Sequence, residues 1–133
     1  CPQTFKAKTL NLGLQKEWLL KGLTNCNSSK VVYMITCPCN LRYIGMTCRQ
    51  VKIRIGEHKS TIRCHKNSTR LTNHFLETGH QANELRWVVL EQIGTDKENV
   101  DQILFEKEQR WVHRLGTNVN GLNDNIPWGQ FYN

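Results

Sequence analysis

Acidic residues are scarce in the first half of this sequence, and long apolar runs are missing throughout. Residues 1–70 hold 2 acidic side chains, Glu17 and Glu57, against 13 lysines and arginines, while residues 71–133 hold 9 acidic and 5 basic ones. The overall +7 therefore divides into +11 and −4. A basic excess confined to one half suits a face laid on a polyanion such as nucleic acid; a surface kept basic for solubility would spread the charge evenly. No stretch approaches the roughly 18 apolar residues of a membrane span. Lys6, Lys8, Lys16, Glu17 and Lys21 interrupt the apolar positions of the first 25 residues, unlike a secretory signal. Membrane and secretory expectations are set aside on these grounds. With 3 prolines and 9 glycines the chain is neither collagen-like nor low in complexity, and 38% hydrophobic and 22% charged residues suit an ordinary globule. A length of 133 residues suits one domain, and the start at Cys1 in place of Met is read as a domain cut from a longer chain.

What is present is cysteine and histidine. The 6 cysteines are Cys1, Cys26, Cys37, Cys39, Cys48 and Cys64, and 5 histidines accompany them. In a chain without a secretory signal, a metal site is a better use for some of them than disulfides.

Residues 1–29 are weakly patterned and read as an arm or linker with a short helix around Leu14 to Leu23; the folded domain is expected over 30–133. Val31-Val32-Tyr33-Met34-Ile35 and Leu41-Arg42-Tyr43-Ile44-Gly45 read as two strands of a hairpin with Cys37-Pro38-Cys39 at its tip. Thr47-Cys48-Arg49-Gln50 has capping-box spacing, which predicts the start of a helix. At about 100° per residue, Val51, Ile55 and Ile62 form its apolar stripe. Lys52, Lys59, Arg63 and Lys66 gather on an adjacent face, and Arg54 and His58 lie one turn apart on the other flank. A short helix around Leu71 to Glu77 and a third strand, Leu85 to Leu90, follow. A second long helix is expected to open at Asp96-Lys97-Glu98 and to run to about Leu115. Its apolar arc has Glu108 in the middle, whereas Glu106 points away. A carboxylate on a core stripe is costly unless it is paired or binds metal, so Glu108 requires a functional explanation. The fold expected is a small α/β (α+β) domain, a three-stranded antiparallel sheet flanked by helices.

The ordered set Val31-Val32-Tyr33, Tyr43-Ile44-Gly45, Thr47, Arg54, His58, Glu108 and Asn120-Gly121-Leu122-Asn123 resembles the GIY-YIG nuclease domain, spanning residues 31–123. Val31 and Val32 replace the Gly and Ile of the family name; both suit a strand, and neither removes a reactive group. Cys37-Pro38-Cys39, Asn73-His74-Phe75, Gly79-His80 and Trp111 make the chain most similar to the endonuclease domain of Penelope-like retroelements. That resemblance implies a metal-dependent DNA endonuclease that nicks a double-stranded target for retrotransposition, leaving 5′-phosphate and 3′-hydroxyl ends. It further implies fusion to a reverse transcriptase, action in the nucleus, and neither a membrane partner nor a small-molecule substrate.

The residue types match what phosphodiester cleavage needs: an activated water, a cation and donors to the phosphate oxygens. Glu108 is a hard oxygen ligand for Mg²⁺ or Mn²⁺, and Arg54 is a fixed fork for a phosphate. By resemblance, Tyr33 is the general base and Tyr43 its helper, a role that requires a neighbouring cation to lower a phenol near pKa 10. His58 is expected to shuttle the proton or orient Tyr33, and Asn123 to tether the glutamate helix or the sheet, with Asn120 competing for that place. Lys52, Lys59, Arg63 and Lys66 are the expected phosphate contacts. Cys37 and Cys39 with His74 and His80 make the usual set for a closed structural zinc site, implied also by the resemblance, with His65, His113, Cys26, Cys48 and Cys64 as alternatives. A zinc-stabilised module that binds nucleic acid without cutting it is the rival from another class. Such a module has no use for a buried carboxylate. A structure-selective repair nuclease shares the chemistry and differs in substrate.

Overall fold

The most apolar segment of the chain, Val31–Thr36, is the middle strand of a three-stranded sheet. A computed structural model describes residues 26–65, 69–94 and 98–124. Strand β1 (Val31–Thr36) pairs with β2 (Arg42–Thr47) on one side and with β3 (Arg86–Gln92) on the other, both antiparallel, giving the order β2-β1-β3. The register against β3 shifts between Val32 and Tyr33. Helices cover both faces of β1, which is why its sequence runs apolar without alternating. Helix α1 (Val51–Cys64), helix α2 (Arg70–Thr78) and a 3₁₀ turn (Ala82–Glu84) follow β2. Helix α3 (Val100–Leu115) and the short α4 (Thr117–Asn120) follow β3. Val31, Tyr33 and Ile35 pack with Val51, Ile55, Ile62, Leu71 and Phe75 on one face. Val32, Met34, Ile44, Val88 and Leu90 pack with Leu104, Trp111 and Val112 on the other. Each such side chain withdrawn from water contributes about 1.5–3 kcal/mol. Among the described residues, no helix is long and apolar enough to cross a membrane.

The entry to α1 differs from the sequence expectation. Thr47 ends β2 and its Oγ1 accepts from the Arg49 N–H at 3.1 Å, so the capping box does not form; the residue before the helix is Gln50, with no side-chain cap. The free N–H groups of Val51 and Lys52 instead donate to the carbonyls of Ser28 and Cys26, at 2.8 and 3.0 Å. Residues 26–28 thus cap the helix from a distant part of the sequence. Gln92 and Ile93 add hydrogen bonds to Ser29 and Lys30. The expected helix around Leu14 to Leu23 lies outside the described residues.

Helix α3 begins at Val100, after Asn99, rather than at Glu98; Asp96 and Lys97 lie outside the described residues. The helix is pinned to β3 by Glu91, whose Oε1 accepts from Trp111 Nε1 at 3.0 Å and whose other oxygen pairs with Lys107. Beyond α3 the chain turns back along the free edge of β2. Leu122 N–H donates to the Arg42 carbonyl at 2.8 Å. The Asn123 side chain then pairs with the Ile44 backbone in both directions, Oδ1 accepting from N–H and Nδ2 donating to C=O, each at 2.8 Å. An amide that copies a strand's own hydrogen-bonding pattern covers an edge that would otherwise be open to pairing.

Candidate active site and candidate metal centre

Antiparallel partners share a face of a sheet, so the pairs Tyr33↔Gly45 and Ile35↔Tyr43 put both tyrosines on the α1 side. Helix α1 meets them with His58, which belongs to its buried stripe. The Tyr33 hydroxyl lies 2.8 Å from His58 Nε2. The Tyr43 and His58 rings meet edge to face at 5.3 Å, and the two tyrosine rings are 6.5 Å apart. Gly45 makes room for this cluster, since a β-carbon there would fall 2.4 Å from the Tyr33 hydroxyl.

Arg54, one turn before His58, and Glu108 of α3 complete the group. Both tyrosines feel the charge of Arg54 and that of Glu108, so the two helices deliver opposite charges to the same pair of phenols. Burial above all pushes the Glu108 carboxyl up to about 7, against a hydrogen bond from Gln109 and the attraction of Arg54. Burial, and then Arg54, pushes His58 down to about 4, so its imidazole is neutral at physiological pH. The cation expected to lower Tyr33 is present in Arg54, but burial outweighs it. Tyr33 lies well above the ordinary phenol range, raised by burial and then by Tyr43, and Tyr43 is raised to about 12 by burial and then by Glu108. Both phenols are protonated in the free protein.

A second cluster forms at the hairpin tip. A turn closed by Cys37 N–H to the Leu41 carbonyl at 3.0 Å, with Asn40 left-handed, brings the Cys37 and Cys39 sulfurs to 3.0 Å. Helix α2 supplies His74, whose Nε2 is 3.3 Å from one sulfur and 3.1 Å from the other. His80 follows the left-handed Gly79 that ends the helix. One ligand atom from each of the four lies within 4.8 Å of the others. Donors around a tetrahedral zinc sit roughly 3.3–3.8 Å apart, so the set closes on an ion with little movement. Among the described residues His80 Nε2 is buried with no hydrogen-bond partner, which suits a nitrogen left free for a metal. The Leu41 N–H donates to the Cys37 sulfur at 3.3 Å, support of the kind that orients a thiolate ligand. The neighbouring Cys37 thiol first, and then the His80 ring, bring the Cys39 thiol down to about 6, whereas burial raises Cys37.

The course of the backbone that carries these side chains is shared with a solved protein. The structure of the catalytic domain of homing endonuclease I-TevI matches with a TM-score of 0.58 at 23% identity, covering 72% of this chain and 98% of that one. The chain has the GIY-YIG fold. No protein-family model and no curated protein matches it.

Within this GIY-YIG fold the sequence expectations separate. Tyr33, Tyr43, Arg54, His58 and Glu108 come together. Asn123 is buried against β2, whereas Asn120 is exposed. Cys37, Cys39, His74 and His80 converge; of the alternatives, Cys26 is buried in the core, Cys48 donates to Asp101, and Cys64, His65 and His113 are exposed. Lys52 and Arg63 are exposed and Lys59 is partly so, on a flank of α1 roughly 140–180° around the axis from Arg54; Lys66 lies outside the described residues. Sequence reasoning gave no role to two residues beside the site, Glu57 and Arg49. Glu57 pairs with Arg54 at 3.1 Å and with Arg49 at 2.7 Å. The signal was available in composition, because Glu57 is one of 2 acidic residues among the first 70.

Proposed function

We propose that this domain is a metal-dependent DNA endonuclease that hydrolyses phosphodiester bonds. The observation that carries the reading is the convergence of a buried phenol–imidazole pair, a second phenol, a guanidinium and a half-buried carboxylate from four separate segments: β1, β2, α1 and α3. A structural core has no need for two opposite charges beside a buried phenol and a half-buried one. The likeness to the I-TevI catalytic domain supports the same chemistry.

Glu108 would hold Mg²⁺ or Mn²⁺, and such an ion would supply charge neutralisation at the phosphate and acidify water. Arg54 presents its guanidinium to the non-bridging oxygens and stays charged throughout. His58, held neutral by burial with its own proton on Nδ1, takes the Tyr33 proton at Nε2 only as the water proton reaches the phenol, because an imidazole brought down to about 4 does not by itself deprotonate a phenol raised by burial. As Tyr33 passes that proton on, it takes one from the attacking water, the water oxygen bonds to phosphorus, the bond from phosphorus to the 3′ oxygen breaks, and the departing oxygen takes a proton from solvent, leaving 5′-phosphate and 3′-hydroxyl ends. Tyr43 lines the same face, and Asn123 holds β2 in register with this machinery.

The finer reading is target-site nicking for a Penelope-like retroelement, in the nucleus and as part of a longer protein with a reverse transcriptase. Its support is the Cys37, Cys39, His74 and His80 cluster inside the nuclease domain. We take that cluster as a structural zinc site, since four protein donors leave no open position for water. Lys52, Lys59, Arg63 and Lys66 are proposed as contacts to duplex phosphates. The test is nicking of supercoiled plasmid with Mg²⁺ and with EDTA. Relaxed circles only with the cation, ligatable without further treatment, are expected; DNA binding without cutting at any divalent ion would leave the non-cleaving module in its place.

A further inference from the structure

The segment from Cys26 to Arg70 is almost stripped of negative charge, yet its carboxylate, Glu57, sits against Arg54. Glu57 lies three residues beyond Arg54 on α1, and its Oε1 accepts from two guanidinium groups at once: Arg54 Nη1 at 3.1 Å and Arg49 Nη2 at 2.7 Å. Arg49 belongs to the link between β2 and α1, so this second pairing is made by the path of the chain and not by helical spacing. Arg54 therefore has the partly exposed Glu57 on one hand, and the buried phenol of Tyr33 with the half-buried one of Tyr43 on the other. An arginine whose side chain is 36% exposed has many rotamers open to it, and fixing one of them has to be done by a partner.

We propose that Glu57 is the positioning residue of Arg54 and that Arg49 is the anchor of Glu57. The bridge holds the guanidinium over the Tyr33–Tyr43 pair before DNA arrives. The inference rests on the phosphodiester-cleaving reading above. When phosphate oxygens engage Arg54, Glu57 keeps Arg49 as its counter-charge, so the carboxylate is not left unpaired beside a polyanion. A carboxylate at this place repels DNA and so weakens binding, while the preset guanidinium speeds the step that follows. A charge retained only for solubility has the first effect without the second.

The experiment measures the dissociation constant for duplex DNA without divalent ion, and single-turnover cleavage at saturating DNA with Mg²⁺. The proteins compared are wild type, Glu57→Ala, Glu57→Gln, Arg49→Ala, the Arg49→Ala/Glu57→Ala double variant and Arg54→Ala. Glu57→Ala is expected to bind roughly two- to tenfold tighter and to cleave roughly 10- to 100-fold more slowly. Glu57→Gln, which keeps an acceptor for Arg54, recovers part of the rate, and Arg49→Ala adds no further loss in the double variant. Cleavage by Glu57→Ala at the wild-type rate overturns the proposal, as does a loss that follows melting temperature and that Gln does not relieve. In either case wild type still cuts and Arg54→Ala does not, so the endonuclease reading stands. A wild-type protein that does not cut, or an Arg54→Ala variant that cuts at full rate, removes both.

Discussion

Gly45 and Tyr33 face each other across the β1–β2 ladder so closely that any side chain at position 45 would occupy the place of the Tyr33 hydroxyl, 2.4 Å from where a β-carbon would stand. The backbone at Gly45 is ordinary strand, so glycine serves here for space and not for conformation. Tyr33 is fully buried and held at His58, leaving the ring nowhere to move. Gly45→Ala is expected to cost about 1–3 kcal/mol by overpacking and to displace the hydroxyl from His58 Nε2. Thermal melting and plasmid nicking check this: an alanine variant with wild-type melting and cleavage would refute the close approach.

Glu108 carries a proton in much of the free protein near neutral pH, because burial raises its pKa from 4.5 to about 7. A carboxyl raised in the folded state contributes stability that is fully present below its unfolded pKa and is lost as pH rises through its folded value. The window is therefore about 4.5 to 7, and each pKa unit is worth about 1.4 kcal/mol. Metal-free wild type should lose stability across that window relative to Glu108→Gln, measured as the difference between two denaturation series. His58 works in the opposite sense, gaining stability as pH rises from about 4 towards 6.5, and it cancels in the difference. With the metal role proposed for Glu108, Mg²⁺ would compete with the proton, so raising its concentration should move the acid limb of the cleavage profile to lower pH. Glu108→Ala should bind DNA and not cut it, while Glu106→Ala, on the exposed side of α3, should cut normally.

Removal of the proposed zinc should act on stability as well as on activity. The Cys37, Cys39, His74 and His80 cluster joins the hairpin tip to α2 across the helix that carries Arg54 and His58. Coupling of metal to folding reaches on the order of 10 kcal/mol in small domains. Cys39→Ser and His80→Ala should lower melting temperature, solubility and cleavage together. Elemental analysis is expected to find about one zinc per chain in wild type and none in these variants; a zinc-free, folded, active protein would end the assignment.

Lys52 and Arg63 point away from Arg54 around α1, so they are expected to add affinity without touching the chemistry. Neutralising either one should flatten the dependence of log K on log salt by roughly 0.9 for each phosphate that the side chain neutralises. The single-turnover rate at saturating DNA should stay unchanged. A salt titration with an unaltered slope would remove these residues from the interface.

The hairpin, both long helices and the place of Glu108 on an apolar arc were legible in the sequence because each depends on local periodicity. Val51, Ile55, His58 and Ile62 line up on one face of α1 at any helix's pitch, and Glu108 lies on an apolar arc whatever that arc packs against. The same local reasoning failed at Thr47-Cys48-Arg49-Gln50. Its spacing fits a capping box, but residues 26–28, brought in by tertiary contacts, supply the acceptors first.

The inventory was already written in the chain: a basic first half, two strand tyrosines, one helix bearing Arg54 and His58, and a carboxylate set among apolar neighbours. Folding alone settled which of these meet and in what protonation state. Asn123 rather than Asn120 reaches Ile44 because the turn after α4 lays Leu122 and Asn123 along the edge of β2. The raised phenols, the neutral imidazole and the half-protonated carboxyl arise because α1 and α3 exclude water from both faces of one strand pair, and desolvation depends on surroundings that no local pattern records.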